Sequence, residues 1–193
     1  MIIYLIRHAS PHGVEGICYG RCNVPVRASE TQRVVQALRQ NIPEEILKRA
    51  PIYTSPLVRC SMLAQQIADG RGVAVTPALL ELDFGDWQGR RWEVIPRQEL
   101  DAWAADLWHY APGRGESAAT AAHRWRAWVD SLVRQSLEAV IAVTHAGLIR
   151  VAHAVEFPSQ PELLTMPVAY GSIHRIQARA GETSSARLER EEA

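Results

Sequence analysis

Two histidines in this chain stand directly after apolar runs, each with neighbours suited to phosphate chemistry. Arg7-His8-Ala9 follows Ile2-Ile3-Tyr4-Leu5-Ile6, and Thr144-His145-Ala146-Gly147 follows Ala139-Val140-Ile141-Ala142-Val143. A neutral imidazole can attack phosphorus, and a guanidinium can hold phosphoryl oxygens bidentately. Ser55-Pro56-Leu57-Val58-Arg59 supplies a second arginine, on a candidate helix start whose amides and dipole favour an anion. Phosphoryl transfer needs a nucleophile in line with the leaving oxygen and positive donors around the equatorial oxygens. His8 suits the first role; Arg7, Arg59 and His145 suit the second. An alkoxide leaves poorly, so a proton donor is needed at the bridging oxygen. Glu81, between Leu80 and Leu82, is the candidate, because apolar flanks and a nearby phosphate dianion both favour the protonated carboxyl. Asp83 and Asp86 compete for that role. After transfer, the same carboxylate can take a proton from attacking water. The arginines replace a metal electrostatically in this scheme, so no metal and no other cofactor is expected.

These groups meet only if the fold carries them to one edge. The first apolar run reads as a short buried strand, and Ala139–Val143 as the clearest later one. Residues 51–54 and 73–75 are two further strand candidates, and 168–176 offers a last one. Helices are expected between them: one capped by Ser29, one opened by Ser55-Pro56, one over 117–135 with Trp125, Trp128, Val129 and Leu132 inward, and one from Gly147 onward. Such alternation predicts an α/β fold, a three-layer α/β/α arrangement with a mostly parallel central sheet. In open sheets of this kind ligands bind at the carboxyl ends of the strands, where both histidines fall. From 83 to 116 the pattern loosens around Trp87, Trp92, Trp103 and Trp108, which reads as a cap insertion over that edge. Trp87 is expected to brace the Glu81 loop. Residues 1–178 are read as one domain, and 179–193 as a polar tail expected to be disordered.

The chain has 193 residues with a formal net charge of +0, which argues against a broad basic surface for nucleic acid or an anionic membrane. Lys48 is the single lysine among 21 basic residues. Cys18 and Cys22 lack a second Cys/His pair at zinc-site spacing, and three cysteines in all point to reduced thiols. The first residues lack a basic, signal-like start, and no apolar stretch approaches a membrane span, so a cytoplasmic protein is expected. The expected partner is a small phosphorylated substrate, with neither nucleic acid nor membrane; pairing into a homodimer is left open. His12, His109, His123, His153 and His174 follow no pattern.

Arg7-His8-Ala9, Ser55-Pro56-x2-Arg59, Glu81-x3-Gly85-x-Trp87-x-Gly89 and His145-Ala146-Gly147 together resemble the signature set of the histidine phosphatase superfamily, which includes phosphoglycerate mutases. The resemblance spans residues 1 to about 155. It implies a phosphohistidine intermediate on His8, acid-base work by Glu81, and a phosphate pocket of Arg7, Arg59 and His145; Ala146, Arg21 and Tyr19 are further candidate substrate contacts, with a solvated loop position the alternative for Arg21. The stretch Gly16-x-Cys18-Tyr19-Gly20-Arg21-x2-Val24-Pro25-Val26 is similar to the loop of α-ribazole phosphatase-like members. Two departures stand out: Ala9-Ser10-Pro11 replaces the Gly-Glu-Thr of many members, and Val14 stands where many carry Asn. The implied activity is metal-independent phosphomonoester hydrolysis, with α-ribazole phosphate one candidate substrate. A phosphoglycerate mutase-type transfer and an inactive phospho-ligand-binding relative are the alternatives.

Overall fold

The computed structural model describes residues 1–178, so the expectation for 179–193 falls outside the described residues. Five strands form one sheet in the order β3-β2-β4-β1-β5. They are β1 (Ile2–Arg7), β2 (Ile52–Thr54), β3 (Val73–Val75), β4 (Ala139–Thr144) and β5 (Ile173–Gln177). Every pairing is parallel except β1 with β5. The sheet is therefore mostly parallel, with an antiparallel edge.

Side-chain alternation along the strands explains the layers. Ile3, Leu5, Val140 and Ala142 point to one face, where Trp125, Trp128 and Leu132 of α5 (Ala118–Val133) and Leu148, Ile149 and Ala152 of α6 (Ala146–Glu156) cover them. Tyr4, Ile6, Ile141 and Val143 point to the other, against Leu38 of α1 (Ala28–Asn41) and Cys60, Leu63 and Ile67 of α3 (Val58–Ala68). All six residues of β4 are buried, as a central parallel strand covered on both faces must be.

Several helix boundaries differ from expectation. The chain enters α1 in extended conformation through a bridge between Pro11 and Val26, so Arg27 takes the capping position and Ser29 lies inside the first turn. A short α2 (Glu44–Arg49), too brief for a periodic signal, carries the exposed pairs Lys48–Glu44 and Arg49–Glu45. Helix α3 begins at Val58 rather than at Pro56, because the Ser55 hydroxyl accepts the Leu57 amide and holds those residues extended. Ser117 does cap α5, accepting from the Thr120 amide at 3.2 Å. Among the described residues no helix is long and apolar enough to cross a membrane.

Residues 83–116 hold one helix, α4 (Arg97–Ala105), between single 3-10 turns. Their two ends lie side by side: the Glu116 amide donates to the Asp83 carbonyl at 2.7 Å. A Cβ on Gly85 would stand 2.0 Å from the Gly113 carbonyl oxygen, and one on Gly115 would stand 2.1 Å from that of Asp83. Backbone meets backbone here with no room for any side chain.

Candidate active site

The parallel register of β1 and β4 places Arg7 opposite Thr144, so His8 and His145 are each one residue beyond adjacent strand ends. Their rings meet edge to face, with centroids 5.2 Å apart. Both are buried: His8 is 1% and His145 0% exposed. Strand β2, on the far side of β4, ends at Thr54, and the next residue, Ser55, sits 2.8 Å from His145 Nε2.

The hydrogen bonds settle both tautomers. A carbonyl can only accept, so the 2.7 Å contact between His8 Nδ1 and the Ala9 carbonyl puts the proton on Nδ1 and leaves Nε2 with its lone pair. Arginine can only donate, so the 3.2 Å contact from Arg59 Nε makes His145 Nδ1 the acceptor. His145 Nε2–H then donates to Ser55 Oγ. Burial first, then the Arg59 and Arg7 charges, pull the His8 pKa down to about 3. Burial and Arg59 likewise hold His145 well below the ordinary range. Both rings are neutral at physiological pH.

A stability consequence follows from the sign of these shifts. With a folded pKa of about 3 against an ordinary 6.5, His8 takes up its proton more readily in the unfolded chain. Its contribution is fully present above pH 6.5 and is lost as pH falls through that window. Urea midpoints measured from pH 7 to 4 should fall more steeply for the wild type than for His8→Asn. Parallel curves would contradict the buried neutral ring.

The two arginines surround the pair differently from a simple oxyanion clamp. Arg59, 1% exposed, gives Nη1 to the Cys22 carbonyl at 2.7 Å and Nη2 to that of Gly20, so its donors fasten the 16–22 loop while its charge stays beside the histidines. Arg7 donates to the Val168 carbonyl and lies 3.7 Å over the Tyr170 ring, and its buried Nε has no hydrogen-bond partner among the described residues. Arg59 lies 5.1 Å from the Tyr19 ring centroid. The hydroxyls of Tyr19 and Tyr170 meet at 3.1 Å. The expectation of free amides at the start of α3 does not hold: Leu57 N–H bonds Ser55, and Val58 N–H donates to Asn23 Oδ1 at 3.0 Å.

Glu81 reaches the same edge at the first turn of α6. It is 9% exposed, and its carboxylate accepts the Leu82 amide at 3.1 Å and the Gly147 amide at 3.4 Å. A Cβ on residue 147 would stand 2.4 Å from Glu81 Oε1, so glycine is what lets the carboxylate dock on the first turn of α6. Asp83 instead accepts the Gly85 amide at 2.9 Å and pairs with Arg21, and Asp86 pairs with Arg114. Neither borders the cavity described next.

A cavity of about 450 Å³ opens beside Glu81, Ala146 and Gly147, with Tyr19 and Tyr170 in its wall. His8 packs against Tyr170 at 5.6 Å between centroids, directly behind that wall. Ser10, Pro11 and Val14 border the cavity too, so both departures from the family pattern fall where a substrate would be touched. Arg21, expected against substrate, is consumed elsewhere: Nε donates to the Glu81 carbonyl at 2.8 Å, and Nη2 pairs with Glu116 at 2.9 Å. With Arg124, which bonds Glu116 and the Ala78 and Leu80 carbonyls, it pins the backbone that presents Glu81. Trp87 is wholly buried, its indole N–H donating to Glu99 at 2.6 Å, whereas Trp92 and Trp103 border the cavity. Sequence reasoning missed Arg150, Tyr170 and those two tryptophans as cavity residues. Only Arg150 had a readable signal, its spacing of four from Ala146 on one helix.

Cys18, Cys22 and Cys60 are free thiols. Cys60, 0% exposed, lies 3.4 Å from His145 Nε2, and burial pushes its pKa up. Among the described residues no group of three or more His, Cys, Asp or Glu side chains is arranged to hold a metal ion.

The sequence profile of the histidine phosphatase superfamily (branch 1) matches residues 3–190. The adenosylcobalamin/α-ribazole phosphatase of Salmonella typhimurium is 26% identical over 179 residues, covering 88% of this chain and 82% of its own length. The Caenorhabditis elegans 6-phosphofructo-2-kinase/fructose-2,6-bisphosphatase is 29% identical over 92% of this chain and 39% of its own. Among solved structures, a mycobacterial glucosyl-3-phosphoglycerate phosphatase in complex with VO3 superposes with a TM-score of 0.77 at 25% identity, over 91% of this chain and 92% of its own. The α-ribazole phosphatase of Shigella flexneri gives 0.75 at 22%, over 93% and 92%, a likeness of fold.

Proposed function

This chain belongs to the histidine phosphatase superfamily (branch 1), and from that membership and the site's geometry we propose that it hydrolyses a small phosphomonoester without a metal, through a phosphohistidine on His8. The observation that carries the reading is the His8 ring itself: neutral, with Nδ1 tied to the Ala9 carbonyl and Nε2 left as the nucleophile. In the first step Nε2 attacks phosphorus, the N–P bond forms, and the P–O bond to the alcohol breaks. Protonated Glu81 gives its proton to the departing oxygen. The charges of Arg7 and Arg59, with His145 beside them, offset the negative charge on the equatorial oxygens. In the second step water attacks phosphorus, Glu81 takes the proton, and the N–P bond breaks to release inorganic phosphate and free His8.

α-Ribazole phosphate is one candidate substrate, supported by the name of the Salmonella relative. A panel with EDTA present tests the reading, setting α-ribazole phosphate against glucosyl-3-phosphoglycerate, sugar phosphates and 3-phosphoglycerate. We expect stoichiometric phosphate release from at least one of these esters. Isomerisation of phosphoglycerate without phosphate release would replace the hydrolase by a mutase, and binding of the panel without turnover would make the chain a phospho-ligand binder.

A further inference from the structure

Arg150 stands apart from the arginines that build the site. It lies on α6, four residues after Ala146 and three after Gly147, so all three share one helix face and all border the cavity. Helical side chains lean toward the N-terminus of their helix, which carries this guanidinium back over the turn where Glu81 docks. Its Nε–H donates to the Met166 carbonyl at 2.9 Å, fixing the plane of the group. Its two terminal nitrogens have no hydrogen bond or ion pair among the described residues, whereas Arg21, Arg59 and Arg124 each spend theirs on carbonyls and carboxylates. Burial lowers the affinity of this guanidinium for its proton, and the Glu81 carboxylate nearby acts in the opposite sense.

The same cavity also holds an aromatic cluster. Trp92 and Trp103 stack at 6° with centroids 6.2 Å apart, and Phe84 meets both edge to face at 89°. All three border the cavity. A cavity that holds both an aromatic cluster and a fixed two-pronged cation suits a ligand with a flat apolar body and an oxyanion besides the ester being cleaved.

We propose that Arg150 is a specificity-determining residue that binds a second oxyanion, a carboxylate or a further phosphate, on the alcohol portion of an aryl or heteroaryl phosphomonoester. This deepens the proposed phosphatase reading and rests on it. The terminal nitrogens of Arg150 accept the second anion as a bidentate partner, while the ring of the alcohol lies against Trp92 and Trp103.

The test compares 2-, 3- and 4-carboxyphenyl phosphate with their neutral carbamoyl counterparts, and 1,3-phenylene bisphosphate with phenyl phosphate. The carbamoyl pairs isolate a carboxylate, and the bisphosphate arm isolates a second phosphate. In the wild type at least one anionic ester should exceed its neutral counterpart in kcat/KM by about tenfold or more, as one charge-assisted bidentate contact gives. Arg150→Gln should bring that ratio close to one, and Arg150→Lys should keep part of it. The same comparison with non-hydrolysable carboxyphenyl and carbamoylphenyl phosphonates, followed by calorimetry, reads the preference as Kd and needs no turnover. A wild type that hydrolyses none of the esters yet prefers the anionic phosphonate would overturn the hydrolase reading and retain this one. Equal loss of both members of each pair in Arg150→Gln would place Arg150 on the transferring phosphoryl group and overturn the proposal. An absent preference, or one that survives Arg150→Gln, would overturn it as well.

Discussion

Alanine at position 8 should reduce phosphate release from an aryl ester by on the order of 10⁴-fold or more, the scale seen when a nucleophile is deleted from a unit that acts together. Among the described residues no other neutral ring nitrogen is placed to substitute. His145 Nδ1 is engaged by Arg59, and its Nε2 carries the proton shared with Ser55. The variant should keep its fold, because neighbouring backbone stays tied by the His8 amide to the Thr144 carbonyl at 3.0 Å and by the register of β1 on β4. Rapid-quench labelling with a radioactive phosphoester is the direct measurement. The wild type should carry an acid-labile, alkali-stable phosphoryl group and His8→Ala none. Label retained in the variant would end the case for this nucleophile.

The second large effect falls on Glu81 and depends on the ester chosen. Glu81→Gln preserves the shape and one acceptor for the Leu82 or Gly147 amide, yet removes the transferable proton. Alkyl phosphates, whose alkoxides need that proton, should lose about 10²- to 10⁴-fold in kcat. 4-Nitrophenyl phosphate, whose leaving group is already stable as an anion, should lose far less in the phosphorylation step. A steepened dependence of rate on leaving-group acidity is therefore the signature to measure. Uniform loss across the series would assign Glu81 a positioning duty alone. Gly147→Ala offers an independent view, since its methyl would push the carboxylate off α6 and should reproduce the same leaving-group bias.

Much of this site could be read from the chain because its parts sit at strand ends. An apolar run followed by a polar pair fixes both the element and its orientation, and two such runs in adjacent parallel strands bring His8 and His145 together. Glu81 was legible through its apolar flanks. Arg21 was not, because its fate depends on Glu116, 95 residues away, and on the Glu81 carbonyl, which only folding brings near. The Ser55 boundary failed for a related reason. Its hydroxyl is claimed by His145 and the Leu57 amide, a tertiary demand that overrides local capping preference. Trp87, Trp92 and Trp103 are alike in sequence, and packing alone decides which is wholly enclosed and which faces the cavity. The antiparallel pairing of β5 left no periodic trace either.

The crossing of Asp83, Gly85, Gly113 and Gly115 ties the start and finish of one excursion together before any side chain can intervene. Whatever lies between these points is held like a bead on a closed loop of string. Provided the backbone bonds of residues 89–92 to Gly16 and Cys18 are kept, the remainder can be lengthened, shortened or exchanged without pulling on the strands that carry the histidines. Recognition of the alcohol can thus drift from one descendant of this scaffold to the next while the phosphorus chemistry stays where it is, and transplanting that loop between relatives is the natural route to new selectivity.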